Sequence, residues 1–402
     1  MTEGPRFPAG QSTTLLHSMH LHSVSFMPLL LAFGATALIA GLLVHTRDWH
    51  LHLTGDHPEA GPQKIHTEAT PRIGGVAVLA GLLAGLAALY LAAPAALRVQ
   101  LDAIHPGGLV AGLLPLFALG LVEDIRKSVS VRLRLGVALI AGALAYGLAG
   151  VRVPALGLPV IDDLILGLPL ISLMAPLLFT LVAVAGMVHA MNIVDGLNGL
   201  LAGITLLILG VLAAVSASFQ ETALMLLALT GMAATAGFAV FNFPRGRLFC
   251  GDAGAYLIGY LIAVIVILLV QRQPAISPWF ALAVVIHPVT ETLYSAWRRL
   301  RQGLSPTHPD ARHMHSLWAA NLQQRSDETG RPVWLGVNAG ASWRTQAMAG
   351  LPVLLAASLP TRALALQCLC VAYVVAFIAI VRLLERPVYS VAASAFLSDD
   401  IR

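Results

Sequence analysis

The chain has 402 residues, of which 57% are hydrophobic and only 11% charged, and its formal net charge is +4. A soluble domain of this size carries about 25% charged residues, so the composition excludes one and points to a polytopic membrane protein. The small positive charge is no sign of nucleic acid: basic residues in such a chain mark the inner membrane face, where anionic headgroups and phosphorylated substrates lie.

In chain order, residues 1–26 are polar and carry His17, His20 and His22, with no basic segment directly before an apolar run. They read as a disordered N-terminal tail and not as a signal peptide. A bilayer helix needs about 20 apolar residues, within roughly 17–25. Eleven stretches answer that description, at 27–44, 73–93, 108–122, 133–149, 170–188, 200–218, 222–241, 253–270, 278–297, 346–359 and 364–384. The predicted architecture is therefore an all-α transmembrane bundle over 27–384, with one long loop at 298–345 and a short tail at 385–402. Eleven spans place the chain ends on opposite sides. With the C-terminus cytoplasmic and the N-terminus periplasmic, 19 of the 24 basic residues fall on the inner side, and only Arg6, Arg98, Arg152, Arg272 and Arg362 fall outside. Cys250, Cys368 and Cys370 lie in or beside spans and are expected as free thiols.

Five polar blocks interrupt the apolar chain, and the same topology puts all of them on the inner face: 64–75, 123–134, 189–200, 242–259 and 305–316. An ionisable group at a helix centre in a bilayer costs roughly 2.5–3.5 kcal/mol, so such groups are kept for a use. Glu123 and Asp124 end the third span, followed by Arg126, Lys127, Arg132 and Arg134. Adjacent acids suit a base and a metal partner, or a solvated helix end; the basic residues beside them suit a phosphate-bearing substrate. Asn192, Asp195 and Asn198 recur at helical spacing, with Gly196 before the last of them and Gly199 directly after it. That pattern predicts one polar stripe leading into the sixth span. Asp252 stands in Gly-Asp-Ala-Gly at the start of the eighth span, where an acid and free backbone amides serve Mg²⁺ and phosphate together, or merely cap the helix. His308, Asp310, Arg312, His313 and His315 crowd one part of the long loop. Their spacing suits a diphosphate better than zinc. His45, His50, His52, His57 and His66 read as solvated loop residues.

In this order, the blocks KIHTEATPRIGG, EDIRKSVSVRLR, HAMNIVDGLNGL, FCGDAGAYLIG and HPDARHMHS resemble those of the polyprenyl-phosphate N-acetylhexosamine-1-phosphate transferases, bacterial glycosyltransferase family 4 relatives of the phospho-MurNAc-pentapeptide translocase. The resemblance implies an inner-membrane, Mg²⁺-dependent enzyme, with Mn²⁺ an alternative metal. It would move a sugar-1-phosphate from a UDP-N-acetylhexosamine to undecaprenyl phosphate at the cytoplasmic face, with homodimerisation left open. Asp252 would be the main metal ligand. Glu123 and Asp124 would sit at the lipid phosphate, with Glu123 the candidate base. Asn192 and Asp195 would line the nucleotide-sugar site, Phe249 would stack on uracil, and Lys64, Lys127, Arg132, Arg312, His313 and His315 would neutralise phosphates.

The blocks also depart from the family. Glu123 replaces the usual aspartate, His189 stands where asparagine is usual, Asn198 replaces a second aspartate, and Ser316 ends a run that is often histidine. The last change argues for the branch that starts O-antigen, capsule or similar polymers over peptidoglycan synthesis. A transporter is the rival class, but its site should lie near the bilayer midplane, and these acids sit at one rim.

Overall fold

The computed structural model describes residues 26–56, 69–305 and 312–399. The N-terminal stretch, Lys64, His57, His66, His308 and Asp310 lie outside the described residues. In chain order, α1 (Met27–His45) and α2 (Arg47–Thr54) lead into a two-stranded antiparallel ribbon of β1 (Gly55–Asp56) and β2 (Thr70–Pro71). Then come α3 (Gly74–Ala92), α4 (Ala95–Asp102), α5 (Pro106–Arg126), α6 (Val131–Ala149), α7 (Pro159–Gly167) and α8 (Pro169–Val194). They are followed by α9 (Leu200–Ser218), α10 (Thr222–Asn242), α11 (Gly251–Arg272), α12 (Pro278–Val284), α13 (Ile286–Arg301), α14 (Met314–Thr329), α15 (Gly336–Ala357) and α16 (Ala363–Asp399).

Nine of the described helices are long and apolar enough to cross a membrane. Eight match the first eight predicted spans within a few residues, and the ninth, in α16, matches the last. A helix closes all its backbone hydrogen bonds internally, which is why apolar segments in lipid take this form. Residues such as Leu38, Val182 and Val371 are exposed on the outer surface of the bundle, as expected of lipid-facing positions.

The predicted ninth and tenth spans differ from expectation. Residues 278–297 form two helices, α12 and α13, with a break at Val285. Pro288 explains it: it has no N–H for the carbonyl of Val284, and its ring crowds that same carbonyl. The tenth span, predicted at 346–359, is the second half of α15, which begins at Gly336. Its polar first half docks inside the protein, with Asn338 Oδ1 accepting from the Asn198 amide at 2.7 Å and Gln346 donating to the Gly199 carbonyl at 2.8 Å. The long loop holds α14, and α16 continues past residue 384 to Asp399.

The core of the bundle is α11. Every residue from Gly251 to Val270 is buried, and α11 packs against α3, α5, α8, α9 and α10. Two glycines let its neighbours touch its backbone. A Cβ at Gly75 of α3 would stand 2.3 Å from the Gly254 nitrogen, and one at Gly120 of α5 would stand 2.4 Å from the Ala253 Cα. Neither space exists for a side chain, so both contacts are backbone to backbone.

Candidate active site

The first polar block is sewn onto the fourth. Strand β2 accepts from the Phe249 amide through the Pro71 carbonyl at 2.8 Å, while Gly74 and Gly75 donate to the carbonyls of Phe249 and Cys250 at 2.9 and 2.8 Å. This stitching places Arg72 over the N-terminus of α11. Arg72 donates to Asp252 Oδ1 at 2.7 Å and to Asp124 Oδ1 at 3.1 Å, and Asp56 lies 3.9 Å from its guanidinium. Burial opposes its charge, but the facing Asp252 and Asp124 more than offset this and hold Arg72 above its usual range.

The first amides of α11 need acceptors, as at any helix start. Two acids from other elements supply them. Asp124, at the end of α5, accepts from Asp252 N–H at 2.8 Å and from Ala253 N–H at 3.0 Å. Asp195, which caps the C-terminus of α8, accepts from Gly251 N–H. Burial pushes Asp195 up to about 7, against the pull of Arg72 and with the help of the neighbouring Asp252. These contacts correct one expectation: the amides of Asp252 and Ala253, read as a phosphate cradle, are filled by Asp124.

Asp252 itself receives Asn192 Nδ2 on Oδ1 at 3.1 Å and the Tyr256 hydroxyl on Oδ2 at 3.2 Å. Arg134 stands 3.9 Å from Oδ2 and grips Glu123 at 2.5 Å. Glu123 also accepts from Val129 N–H at 2.6 Å, closing the turn between α5 and α6. Its carboxylate is thus held by the protein on both oxygens. His189 lies edge-on to Tyr256, with ring centroids 6.0 Å apart.

The third block does not form the expected stripe. Asn192 lies in the last turn of α8, Asp195 caps it, and the chain then turns before α9. Gly199, at φ 78°, occupies the left-handed region that only glycine takes cheaply. Asn198 therefore points away from Asp252, donating to the Pro244 carbonyl at 3.0 Å. It is a structural residue of the turn, beside Asn242, which accepts from Gly199 N–H at 2.6 Å.

Of the remaining candidates, His315 packs on the turn itself: a Cβ on Gly196 would lie 2.3 Å from its Nε2. His313 stacks parallel to His315 with centroids 5.5 Å apart. Burial, with His313 adjacent, pushes His315 down to about 3, so it is neutral at ordinary pH. Phe249 and Arg312 are half-buried. Lys127 is exposed and donates to the Gly55 carbonyl, and Arg132 is exposed. The structure therefore unites Glu123, Asp124, Asn192, Asp195 and Asp252, adjoins His313 and His315 through Gly196, and leaves Arg132 at the surface. Arg72, Tyr256 and Glu291 were not singled out from the sequence, and Arg134 was read only as one of the basic residues beside the acid pair. Arg72 had a signal in retrospect, a lone arginine between Pro71 and Gly74–Gly75 in the first polar block.

Residues 107–270 match the family model described as glycosyl transferase family 4. That segment carries the second, third and fourth blocks, and with them Asp124, Asn192 and Asp252. The central segment of this chain is a glycosyl transferase family 4 match. Similar proteins include a probable undecaprenyl-phosphate N-acetylglucosaminyl 1-phosphate transferase of Bacillus subtilis, 27% identical over 65% of this chain and 70% of the relative. A decaprenyl-phosphate N-acetylglucosaminephosphotransferase of Mycolicibacterium smegmatis is 30% identical over 62% of this chain and 65% of its own. The undecaprenyl-phosphate alpha-N-acetylglucosaminyl 1-phosphate transferase of Salmonella typhi is 29% identical over 63% and 66%. The chain thus spans about two thirds of the length of these relatives. Arg72 and the His313–His315 turn lie outside the segment matched by the family model, yet both are folded against it.

Proposed function

We propose that the protein transfers a sugar-1-phosphate from a UDP-N-acetylhexosamine to undecaprenyl phosphate, releasing UMP. One observation carries this reading: among the described residues three acids, Glu123, Asp124 and Asp252, pair with two arginines, Arg72 and Arg134, at one end of the bundle. A buried site with surplus negative charge is stabilised by a cation, and a phosphoryl-transfer site needs one. Among the described residues no three His, Cys, Asp or Glu side chains form a ready-made metal cage. Mg²⁺ does not require one, since it is commonly held by one or two carboxylates together with substrate phosphates and water. The residues fit such a metal, with Asp252 as its ligand and Mn²⁺ as a substitute. When bound, the metal would supply neutralising charge to the diphosphate.

In the transfer, an oxygen of the lipid phosphate forms a bond to the β-phosphorus of the UDP-sugar. The bond between that phosphorus and the bridging oxygen breaks, and UMP departs with the electron pair. Arg72 and Arg134 are placed to hold phosphate oxygens as the acids they now pair with take up other partners. Glu123 remains the candidate base, positioned by Arg134. Asn192 orients Asp252, Asp195 shapes the adjoining turn, and Phe249 offers a ring for uracil. Lys127, Arg132 and Arg312, together with Lys64 outside the described residues, are the proposed phosphate-neutralising side chains. N-acetylglucosamine in the relatives' names supports UDP-GlcNAc, or a 6-deoxy relative of it, over the MurNAc-pentapeptide donor.

The site is proposed to face the cytoplasm of a bacterial inner membrane, on the bias of the basic residues. In a cysteine-free background, cysteines at Arg126 and Ser305 should resist impermeant thiol reagents in intact cells, while one at Gln273 labels from outside. The reaction is tested with purified protein, undecaprenyl phosphate and UDP-GlcNAc labelled in the β-phosphate. Label in the lipid phase with stoichiometric UMP is expected; release of UDP would overturn the reaction type, and preferred use of the pentapeptide donor would overturn the substrate.

A further inference from the structure

The ninth predicted span carries a buried acid that the reaction scheme above does not use. Glu291, on α13, is 1% exposed. A carboxylate in such a place is costly unless donors surround it. Among the described residues its donors come from the histidine turn and its helix. His313 Nδ1 lies 2.9 Å from Oε1, and Met314 N–H is shared between Oε1 at 3.3 Å and Oε2 at 3.2 Å. A carboxylate only accepts, so the shared proton defines the His313 tautomer: Nδ1 carries hydrogen, with Ser295 Oγ 3.2 Å away on the same side. Nε2 is then the ring's remaining polar atom. On the other side, His313 stacks on His315, and His315 rests on Gly196, next to Asp195.

We propose that Glu291 is a positioning residue: it sets the imidazole of His313, and with it the stacked His313–His315 pair, against the Asp195–Gly196 turn so that the pair can bind the diphosphate of a nucleotide sugar. The substrate part of this statement rests on the proposed reaction; the hold on the turn does not. Helix α13 thereby ties the long loop to the acid cluster, linking a segment outside the matched family region to residues inside it. Glutamine at 291 keeps the shape and one accepting oxygen for His313, but it removes the charge and sets an amide –NH₂ against Met314 N–H in place of the second acceptor, so the hold is weakened without a cavity.

The test uses the full chain in lipid nanodiscs. Glu291→Gln should raise KM for UDP-GlcNAc about tenfold, the loss expected of one hydrogen bond to a charged group, with a smaller change in kcat. Glu291→Asp should recover part of it. The double variant Glu291→Gln with His313→Ala should be no worse than His313→Ala alone, because both changes remove the same positioned ring. A second readout needs no turnover: trypsin should cut after Arg312 several-fold faster in Glu291→Gln than in the parent. Additive losses in the double variant, or an unchanged KM together with unchanged cleavage, would overturn the proposal. If the parent protein releases no UMP from any donor, the reaction falls, and the cleavage rates alone then support or overturn the hold of Glu291 on the turn.

Discussion

Both ends of α11 join a carboxylate to a guanidinium, with opposite results. At the far end, Arg272 pairs with Glu221 at 2.8 Å and Gln273 donates to the second oxygen at 2.7 Å. One acid meets one base, every strong partner is used, and the cluster simply ties α11 to the start of α10. At the near end Asp252 meets Arg72, Arg134, Asn192 and Tyr256, and further acids crowd the same two arginines. The first arrangement is closed, and the second has charge left over. The comparison teaches that an arginine–carboxylate contact does not by itself mark a site; the surplus does.

Four substitutions would break or sharpen the contrast, taken from the largest effect down. Asp252→Asn should lower lipid-linked product formation by about 10³-fold, within the range seen when an acid central to proton or charge transfer is neutralised, while the protein stays monodisperse in detergent. Near-normal turnover would make the near end as structural as the far one. Arg72→Met, which keeps the stem and removes the charge, should cost about 10–100-fold in kcat/KM, comparable to losing a positioned charge-assisted hydrogen bond. An unchanged rate would show that its contacts with Asp124 and Asp252 serve only to hold the strand. Asp124→Asn should act chiefly on stability, lowering it by about 1–3 kcal/mol because one capped amide of α11 loses its acceptor; thermal unfolding in nanodiscs measures it. Glu221→Gln should cost about 1 kcal/mol by the same measurement and leave turnover intact. A large activity loss there would erase the distinction between the two ends.

Much of this was legible in the sequence, for reasons that differ by residue. The spans were visible because twenty apolar residues have few other fates, and the blocks because charge is rare among them. Asp252, Asp124 and Asn192 stood out for the same reason. Asn198 misled because helical spacing was applied across a turn that Gly199 breaks. Pro288 was the available sign that the ninth span is two helices, but apolar length outweighed it. Arg72 and Glu291 escaped because their importance comes from partners far along the chain: Asp252 is 180 residues from Arg72, and His313 is 22 from Glu291. No local pattern encodes such pairings.

The contacts of Gly75 and Gly120 with the backbone of α11 bear on how this protein can evolve. Long side chains at an interface can absorb a neighbour's replacement by changing rotamer, whereas touching backbones have no such slack. Gly120 is one turn from Asp124, and its contact, Ala253, is adjacent to Asp252. A methyl group there would wedge the two acids apart by the very ångström that positioned chemistry does not forgive. A saturation-mutagenesis map of this chain should therefore show two chemically inert glycines as intolerant as its acids, and lineages that change donor sugar should do so by altering their loops around an unchanged axle.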